Sequence, residues 1–463
     1  PRFPAARASH AHRTARKMLA RRVSSAKLTS IIAAGLGPDI VGGVRITATS
    51  KTDVGRLRQG NEDSVLVDED LGLFIVCDGM GGHAAGEVAS QAAVATIAER
   101  VAEGLSAIDE LEPERRATGL AELLRDGVDR ANARVHAIGE QDSSKRGAGT
   151  TCTALLIVAG TAALAHVGDS RLYLLRAGQI HQISNDHTFI AEAVRRGMSR
   201  AEAIQNIPTN MLSRAVGPNR HVDVDTLSFD LLPADRLLLC TDGLHGYFVE
   251  SAELVPFLAD FAAAPDRLVD AANERGGEDN ISVIAVEVAA EAAAAAEDSI
   301  RLSRVTQALR ALAGIEVLRE LSYSELLEVA GALRSEEVPA DTAVVCEGEA
   351  SATFYIIASG RASVERGGKR LAELVAGSHF GEMALLTNRP RSATVRTIEP
   401  CRLLSLTREA VYPLFQQNSV LAVKFLWNLG VRQSLRLDET TEWLSAGRDA
   451  APDTLVVCRV LSL

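Results

Sequence analysis

Apolar residues in the first part of the chain occur in short continuous runs, each followed by a turn-forming or acidic residue. Clear runs cover residues 73–77, 161–167 and 237–241. Short apolar runs bounded by turn residues are typical of strands covered on both faces. Residues 87–105 and 117–138 carry apolar side chains at three- and four-residue spacing, which predicts long helices. The pattern therefore predicts two packed sheets with helices outside, an α+β fold.

The pattern changes after residue 288. Residues 289–297 are almost entirely Ala and Glu, which predicts a semi-rigid helical linker. Short helices up to residue 333 are followed by closely spaced strands with Gly turns, which predict a small barrel or roll, and a helix over 411–435 closes this part. We divide the chain into a basic, unstructured arm (1–43), a first domain (44–288), a linker (289–312), a second domain (313–437) and a tail (438–463).

Composition narrows the class of protein. A length of 463 residues predicts two or three domains, and a net charge of −11 argues against a nucleic-acid partner. No apolar run approaches the roughly eighteen residues needed to span a bilayer. The six cysteines show no C-x-x-C spacing, which favours a reducing, cytoplasmic setting. Residues 1–40 hold eight basic residues and one acid, typical of a transit peptide in composition, although an unstructured extension explains them better.

The stretch from Leu73 to Gly86 allows three interpretations. Asp78-Gly79 after a strand is a common hairpin turn. Residues 79–84 also fit G-x-G-x-x-A, the dinucleotide-binding fingerprint, with Glu99 near the position of the ribose-binding acid. Against it, Asp78 would place a negative charge beside the pyrophosphate, and Glu99 lies within a helical run rather than at a strand end. The third interpretation makes Asp78 a metal ligand or a general base.

The recurrence of acids at strand ends favours the metal. Asp169 and Asp242 each follow an apolar strand, Asp279 precedes one, and Glu62-Asp63 lie in a polar loop before another. Clustered carboxylates repel one another unless cations neutralise them, and hard oxygen ligands select Mg²⁺ or Mn²⁺ over Zn²⁺. Two such ions about 4 Å apart can hold a hydroxide between them and stabilise an in-line displacement at phosphorus.

Six short motifs occur in a specific order through residues 45–288. They are Arg58-x-x-Asn61-Glu62-Asp63, Asp78-Gly79-Met80-Gly81-Gly82-His83, Gly149-Thr150-Thr151, Gly168-Asp169-Ser170-Arg171, Asp242-Gly243 and Asp279-Asn280. In these motifs the chain resembles the metal-dependent protein Ser/Thr phosphatases (the PPM or type 2C family) in their bacterial form. The resemblance implies a β-sandwich flanked by helices (αββα) that hydrolyses phosphoserine and phosphothreonine in proteins.

The resemblance also implies how two metal ions would be held. Asp78 would bridge both ions, with the Gly79 carbonyl on the second. Asp242 and Asp279 would complete the shell of the first ion. Glu62 and Asp63 would hold metal-bound waters.

Further roles follow from the same resemblance. Arg58 would bind the substrate phosphate through its planar fork. Asp169 would belong to a third, weaker metal site, and residues 187–217 would form a flap beside the cleft.

Two positions depart from the family pattern. Met80 stands where animal members carry a His thought to act as general acid, and His83 does not match that position in the motif. Gly246 stands where the family usually has another Asp, so the third metal site loses a ligand.

A second informative segment is Gly381-Glu382 followed nine residues later by Arg391-Ser392. Taken alone, this acid and base are most simply a surface salt bridge. Together with residues 354–360 and 379–382, the segment resembles the cyclic-nucleotide-binding domains throughout residues 313–437, which implies a β-roll with flanking helices. By that likeness Arg391 pairs with the cyclic phosphate and Glu382 accepts a hydrogen bond from the ribose 2′-hydroxyl.

The rest of the nucleotide cradle is implied in the same way. Ser392 and backbone N–H groups near Met383 and Ala384 would complete it. Ser392 resembles the bacterial catabolite activator pattern, which favours cyclic AMP over cyclic GMP. The chain after residue 437 is too short for the helix-turn-helix domain of that activator, which argues against a transcription factor.

These observations predict a cytoplasmic phosphoprotein phosphatase that uses two Mn²⁺ or Mg²⁺ ions and is regulated by cyclic AMP. Its substrates would be phosphorylated proteins, the products of Ser/Thr kinases. The alternative is an adaptor that binds cyclic nucleotide and carries a catalytically idle phosphatase fold, for which Met80 and Gly246 leave room.

Overall fold

The computed structural model describes residues 45–82, 84–109, 111, 113–209, 211–289, 309, 312–315, 318–382, 387 and 389–445 of the chain. The predicted basic arm, most of the predicted linker and most of the tail lie outside the described residues. His83, Met383 and Ala384 also lie outside them.

The first unit covers residues 45–289. Its described strands are β1 (Arg45–Asp53), β2 (Ser64–Asp68), β3 (Leu73–Cys77), β4 (Gly79–Met80), β5 (Gly149–Thr150), β6 (Cys152–Val158), β7 (Thr161–Val167), β8 (Arg171–Arg176), β9 (Gln179–Gln182), β10 (Asp225–Asp230), β11 (Arg236–Cys240) and β12 (Ile281–Ala289). Its described helices are α1 (Ala84–Asp109), α2 (Pro113–Gln141), α3 (Phe189–Arg195), α4 (Arg200–Asn206), α5 (Asp242–His245), α6 (Val255–Leu258) and α7 (Ala264–Glu274), with 3₁₀ turns at Ser143–Lys145, Ser251–Leu254 and Phe261–Ala263.

Two antiparallel sheets form the centre of this unit. One has the strand order β1-β12-β11-β8-β9 and the other β10-β7-β6-β3-β2. The first and last strands of the unit are neighbours, since Arg45 of β1 pairs with Ala289 of β12. A dinucleotide-binding fold needs parallel strands joined by crossover helices. The antiparallel pairing of β3 with both β2 and β6 therefore excludes the dinucleotide interpretation of residues 79–84.

The apolar runs are continuous because each central strand is covered on both faces. Phe74 and Val76 of β3 face the opposite sheet, in one cluster with Leu237 and Leu239 of β11. The alternate residues of β3 share a second cluster with α1 and α2, while those of β11 share a third with α7. This is the predicted sandwich with helices on both outer faces, and the expected α+β fold class is confirmed.

The second unit begins with a set of buried residues between 309 and 321 and continues into a roll. Its described strands are β13 (Arg334–Val338), β14 (Ala343–Val345), β15 (Thr353–Ser359), β16 (Ala362–Arg366), β17 (Lys369–Leu374), β18 (His379–Phe380), β19 (Thr394–Thr397) and β20 (Cys401–Thr407). Its described helices are α8 (Tyr323–Ala332), α9 (Arg408–Gln417) and α10 (Ser419–Ser445). The strands form two four-stranded sheets, β13-β20-β15-β18 and β14-β19-β16-β17, as expected for a β-roll.

Several predicted boundaries were wrong for local reasons. The strand predicted over 338–346 is two strands, because the chain turns at Asp341, whose φ is +56°. The helix predicted over 411–435 is two helices. Asn418 separates them, since its side-chain oxygen accepts a hydrogen bond from the N–H of Leu421 at 3.0 Å and so caps α10. α10 then continues past residue 437, where we placed the end of the second domain.

Candidate active site

The predicted acidic residues gather at one end of the sandwich. Asp78 and Asp169 follow β3 and β7 of one sheet, whereas Asp242 follows β11 and Asp279 precedes β12 of the other. Neighbouring strands in each sheet are antiparallel. The last residues of β3, β7 and β11 therefore lie at the same end of the sandwich as the first residues of β2 and β12. Alternation of strand direction thus places these carboxylates in one region.

Asp78 is held by two threonines of the Gly149-Thr150-Thr151 motif. Its backbone N–H donates to Thr151 Oγ1 at 2.8 Å, and its carbonyl accepts from Thr150 Oγ1 at 2.8 Å and from the Thr151 N–H at 2.9 Å. Gly79 follows in a tight space, where an added Cβ would lie 2.3 Å from the Gly86 carbonyl oxygen. Position 79 therefore requires glycine, and the backbone at Asp78 is fixed before any ligand binds.

Asp63 joins the two sheets beneath the cluster. Its side chain is buried, and its Oδ2 accepts a hydrogen bond from Thr241 Oγ1 at 2.9 Å, just before Asp242. The other oxygen of Asp63 and the Oδ1 of Asp242 are buried without a hydrogen-bond partner among the described residues. Buried polar atoms are nearly always satisfied. Two carboxylate oxygens without partners in one place therefore indicate a site for a bound positive group.

The loop that carries Glu62 is held by Asn280, which the sequence analysis named only as part of a motif. Asn280 Oδ1 accepts from the Glu62 N–H at 2.8 Å, and its Nδ2 donates to the carbonyls of Val54 and Gly60, both at 2.9 Å. The Glu62 carboxylate lies against the first turn of α1, where a Cβ on Gly86 would be 2.0 Å from its Oε2. Asn280 thereby ties the Arg58–Glu62 loop to the strand that follows Asp279.

Arg58 reaches into the cluster from that loop. Its Nη2 lies 2.6 Å from Asp279 Oδ2, and 49% of its side chain is exposed. An ion pair this exposed is weak. Arg58 is thus positioned at the open side of the carboxylates, with part of its guanidinium free to meet an anion that arrives from solvent.

Burial and mutual repulsion raise the pKa values of the clustered acids. Burial, with the charges of Asp242 and Asp279 added, raises the pKa of Asp63 to about 7. Burial and the charge of Asp242 raise the pKa of Asp169 to about 7. The pKa values of Asp78 and Asp242 are also raised, first by burial and then by the neighbouring carboxylates. Such a group favours any cation that lets all its members ionise.

In the absence of divalent ions, the clustered acids are expected to contribute less stability as the pH rises from about 4 to about 7. An Asp has a pKa near 3.9 in an unfolded chain, whereas Asp63 and Asp169 have pKa values of about 7 when folded. At these two acids the folded protein therefore binds more protons in this window, so their contribution to the free energy of unfolding falls with pH until they have ionised. Thermal unfolding in EDTA across this range measures the decline.

The Asp63→Asn variant serves as the control for that measurement, because it removes one of the titrating groups and should flatten the decline. A difference in melting temperature between the variant and the wild type that stays constant across this pH range in EDTA would contradict the strained cluster.

Asp169 lies at the margin of the carboxylate cluster. Its carbonyl accepts a hydrogen bond from His245 Nε2 at 3.0 Å, and the next residue but one, Arg171, forms a bidentate pair with Asp186 at 2.9 and 2.7 Å. Gly246, where a further acid was expected, is exposed and helical in conformation (φ −58°). A Cβ at position 246 would lie 3.0 Å from the Asp242 carbonyl oxygen, and this chain offers no carboxylate there.

The flap (residues 187–217) follows β9 and leads into β10. Its described part contains α3 and α4, and its two ends are joined because the Ser213 N–H donates to the His187 carbonyl at 2.8 Å. The N–H of His187 in turn donates to the Gly168 carbonyl at 2.7 Å, next to Asp169. The base of the flap is therefore bonded directly to the loop that carries one of the clustered acids.

The predicted nucleotide residues converge in the second unit. Arg391 is buried and donates through Nη2 to Ser351 Oγ at 2.8 Å and to the Thr353 carbonyl at 2.5 Å, while its Nε has no hydrogen-bond partner in the described part of the chain. Gly381 has a φ of +82°, and a Cβ there would lie 2.2 Å from Arg391 Nη1. Glu382 is fully buried.

The exposure of these residues tests the salt-bridge alternative. A surface pair of the kind first considered would be solvated, but Arg391 is 8% exposed and Glu382 is 0% exposed. Burial lowers the pKa of Arg391. Ser392, next in the chain, is half-buried. The surface interpretation is therefore wrong, because both charges are inside the roll.

Two parts of the chain match known protein families. Residues 55–275 match the family model of protein phosphatase 2C, and residues 335–418 match that of the cyclic nucleotide-binding domain. The serine/threonine phosphatase stp of Listeria welshimeri is 35% identical over 246 residues, which cover 52% of this chain and 95% of that protein. The serine/threonine protein phosphatase PstP of Mycobacterium tuberculosis is 34% identical over 240 residues, 52% of this chain and 44% of that protein.

Solved structures cover the same region. The catalytic domain of PstP in complex with two manganese ions is 33% identical, covers 53% of this chain and 99% of that chain, and superposes with a TM-score of 0.45. The PPM Ser-Thr phosphatase MsPP of Mycobacterium smegmatis, in complex with cacodylate, is 33% identical. The match covers 52% of this chain and 97% of that chain, with a TM-score of 0.44.

The fold, the carboxylate cluster and these relatives define the class of protein. The chain belongs to the protein phosphatase 2C family and is a protein Ser/Thr phosphatase. It also carries a cyclic nucleotide-binding domain after the phosphatase domain. No helix in the described parts of the chain is long and apolar enough to cross a membrane.

Proposed function

We propose that the phosphatase domain hydrolyses phosphoserine and phosphothreonine in proteins with two divalent metal ions, Mn²⁺ or Mg²⁺, and that cyclic nucleotide regulates the reaction. The observation that carries the first part is the cluster of buried carboxylates in which Asp63 and Asp242 each keep one oxygen without a partner among the residues that the structure describes. Only a bound cation allows such a group to ionise fully at neutral pH.

The donor set fits hard divalent ions. The groups are carboxylate and carbonyl oxygens, which suit Mg²⁺ and Mn²⁺. Among the described residues no three His, Cys, Asp or Glu side chains form a ready-made metal site. Asp78 would bind both ions, the Gly79 carbonyl would bind the second, and Asp242 and Asp279 would complete the shell of the first ion. Glu62 and Asp63 would act through bound waters, and Asp169 would serve a weaker third ion.

Each part of the chain then has a task. When bound, the ions would supply an activated water and neutralise the phosphate. Thr150 and Thr151 hold the Asp78 backbone, so that its carboxylate needs little reorganisation. Arg58, half exposed beside Asp279, would bind the phosphate oxygens of the incoming phosphoprotein. Met80 carries no ionisable group, so the leaving hydroxyl would take its proton from solvent.

The decisive experiment is a turnover assay on a phosphothreonine peptide with the full chain. Hydrolysis is expected with Mn²⁺ or Mg²⁺, to stop with EDTA, and to return when the metal is restored in excess. Ca²⁺ is the matched control, because its larger and more flexible shell should support little turnover. Turnover that persists in EDTA would contradict metal dependence. Complete inactivity under every metal condition would favour the idle adaptor.

Regulation by cyclic nucleotide rests on the second site. Arg391 is buried with an Nε that has no described partner, and Glu382 is fully buried nine residues before it. A buried guanidinium is suited to a singly charged cyclic phosphate. Ser392 supports cyclic AMP over cyclic GMP, through the catabolite activator pattern noted above. The phosphoprotein substrates would be the products of Ser/Thr kinases in the cytoplasm.

A further inference from the structure

The two units share a buried surface through α8. This helix, in the second unit, packs against β10 and β9 of the phosphatase sandwich. Leu326 and Leu327 of α8 belong to the same buried cluster as Leu227 and Phe229 of β10. The nucleotide domain is therefore docked on the sandwich at the edge where the chain enters and leaves the flap.

Aromatic and charged contacts fix this docking. The rings of Tyr323, at the start of α8, and His181, in β9, stack with their centroids 3.7 Å apart and an interplanar angle of 7°. Tyr323 also lies near Arg176 of β8, whose charge partly offsets the rise that burial causes in the pKa of the Tyr323 hydroxyl. Arg176 in turn forms a buried ion pair with Asp235 at 2.6 Å. Tyr323 is thus held on a rigid part of the sandwich rather than on a loose surface loop.

The other side of α8 is joined to the C-terminal helices of the nucleotide domain. Lys424 of α10 lies 2.8 Å from Glu325, and Asn418, which caps α10, donates to Glu328 at 3.1 Å. A change in the position of α10 therefore acts directly on α8. Glu325 is buried, whereas 31% of the Lys424 side chain is exposed.

The base of the flap lies at the far end of the same contact. Asp225, the first residue of β10, accepts from His187 Nε2 at 3.0 Å and from Arg214 Nη1 at 2.7 Å. The other ring nitrogen of His187, Nδ1, accepts from the Gly168 N–H at 3.1 Å, next to Asp169. His187 therefore links the start of β10 to the loop of the acidic cluster and to the flap at once.

Glu328 of α8 lies near Asp225, to which His187 and Arg214 donate. Burial, with the charges of Glu325 and Asp225 added, raises the pKa of Glu328 to about 7. Glu328 and Asp225 are therefore electrostatic neighbours across the boundary between the two units. Asp225 itself is held charged, since the partners His187 and Arg214 outweigh its burial and lower its pKa.

We propose that α8 is the element through which the nucleotide domain acts on the phosphatase, by setting the position of the flap base through β10, Asp225 and His187. This inference rests on the proposed regulation by cyclic nucleotide and names its route. The side chains of Asp225, His187 and Arg214 are positioning residues, because they hold the flap and the Gly168-Asp169 loop without meeting the phosphate.

The route is testable because each side of the docking surface offers one aromatic residue. In the full-length protein, His181→Ala and Tyr323→Ala each remove the stacked pair. A nucleotide that favours one arrangement of the domains can change turnover only through a contact that differs between arrangements. In the wild type, cyclic AMP is expected to change turnover by roughly 5- to 150-fold. In each variant, the change in turnover is expected to be about twofold or less.

Three controls accompany these variants. Calorimetry with cyclic AMP must show that each variant still binds the nucleotide, which separates lost coupling from lost binding. Gly331→Ala lies on the same helix in open space and should respond as the wild type does. The double variant should respond no less than either single one, because the two side chains form one contact. His181 is half-buried on an outer strand, so its variant keeps the test usable if Tyr323→Ala does not fold.

Asp225→Asn tests the second half of the route. It should also lose the response while cyclic AMP binding persists, since His187 and Arg214 donate to different oxygens of Asp225 and the amide replaces one of these acceptors with a donor.

The outcomes are distinct. If the wild type responds and all three variants respond fully, the route through α8 is wrong while regulation stands. If the wild type binds cyclic AMP without a change in turnover, or does not bind it, the proposed regulation fails and the route fails with it.

Discussion

Asp78→Ala is expected to lower metal-dependent turnover by roughly three orders of magnitude or more, about 4 kcal/mol of lost transition-state stabilisation. Asp78 is the acid that interacts with most of the others, since Asp63, Asp242 and Asp169 all raise its pKa after burial has done so. Removing it takes away the shared ligand of the proposed metal pair. The measurement is turnover of a phosphothreonine peptide at saturating Mn²⁺. Asp242→Ala should behave alike.

Stability separates this loss from misfolding. Asp78 carries a pKa well above the usual range because the fold does not solvate its charge. The variant should therefore unfold in EDTA at a temperature no lower than the wild type, while Mn²⁺ should stabilise it less. Asp260→Ala is the matched control, because Asp260 is exposed and makes no capping hydrogen bond. Undiminished turnover of Asp78→Ala would refute the assignment of the site.

The second large effect concerns the nucleotide domain. Arg391→Ala is expected to remove cyclic AMP binding in calorimetry and, with it, the whole response of turnover to the nucleotide. The guanidinium is the buried cation of that site, and its fork is held in place by Ser351 and Thr353. A hydrogen-bonded charge of this kind is worth far more in a desolvated pocket than at the surface.

Two further variants define the role of Arg391. Arg391→Lys keeps the charge but loses the fork, so it should bind cyclic AMP more weakly than the wild type and more tightly than Arg391→Ala. Arg389→Ala removes an exposed arginine two residues away and should leave binding unchanged. If Arg391→Ala binds cyclic AMP with wild-type affinity, the ligand does not meet this arginine.

Strand positions and acids could be predicted because both are local signals. Residues 73–77 and 237–240 are apolar at every position, which only a strand covered on both faces requires, and Asp78 and Asp242 follow them directly. The sandwich and the gathering of the acids at one edge follow from antiparallel pairing. The boundaries of α9 and α10 could not be predicted in this way, because one capping residue, Asn418, decides where the helix breaks.

The supporting contacts could not be predicted for a different reason. Asn280 holds the loop before Glu62, although 218 residues separate them. Thr241 reaches Asp63 across 178 residues. Such bonds depend on which loops meet when the sheets pack, and no short motif contains that information. The docking of α8 on β10 is of the same kind, since it joins units that resemble separate families.

The pairing of β1 with β12 has a consequence for synthesis on the ribosome. β1 begins at Arg45 and its partner strand ends at Ala289, so the edge of this sheet stays open until almost the entire phosphatase domain has been translated. Contacts this distant in sequence are slow to form and leave a strand exposed in the meantime. Asp279 and Asn280 lie directly before β12 and arrive with it. A chain that ends before Asp279 therefore lacks both the strand that pairs with β1 and one of the clustered acids.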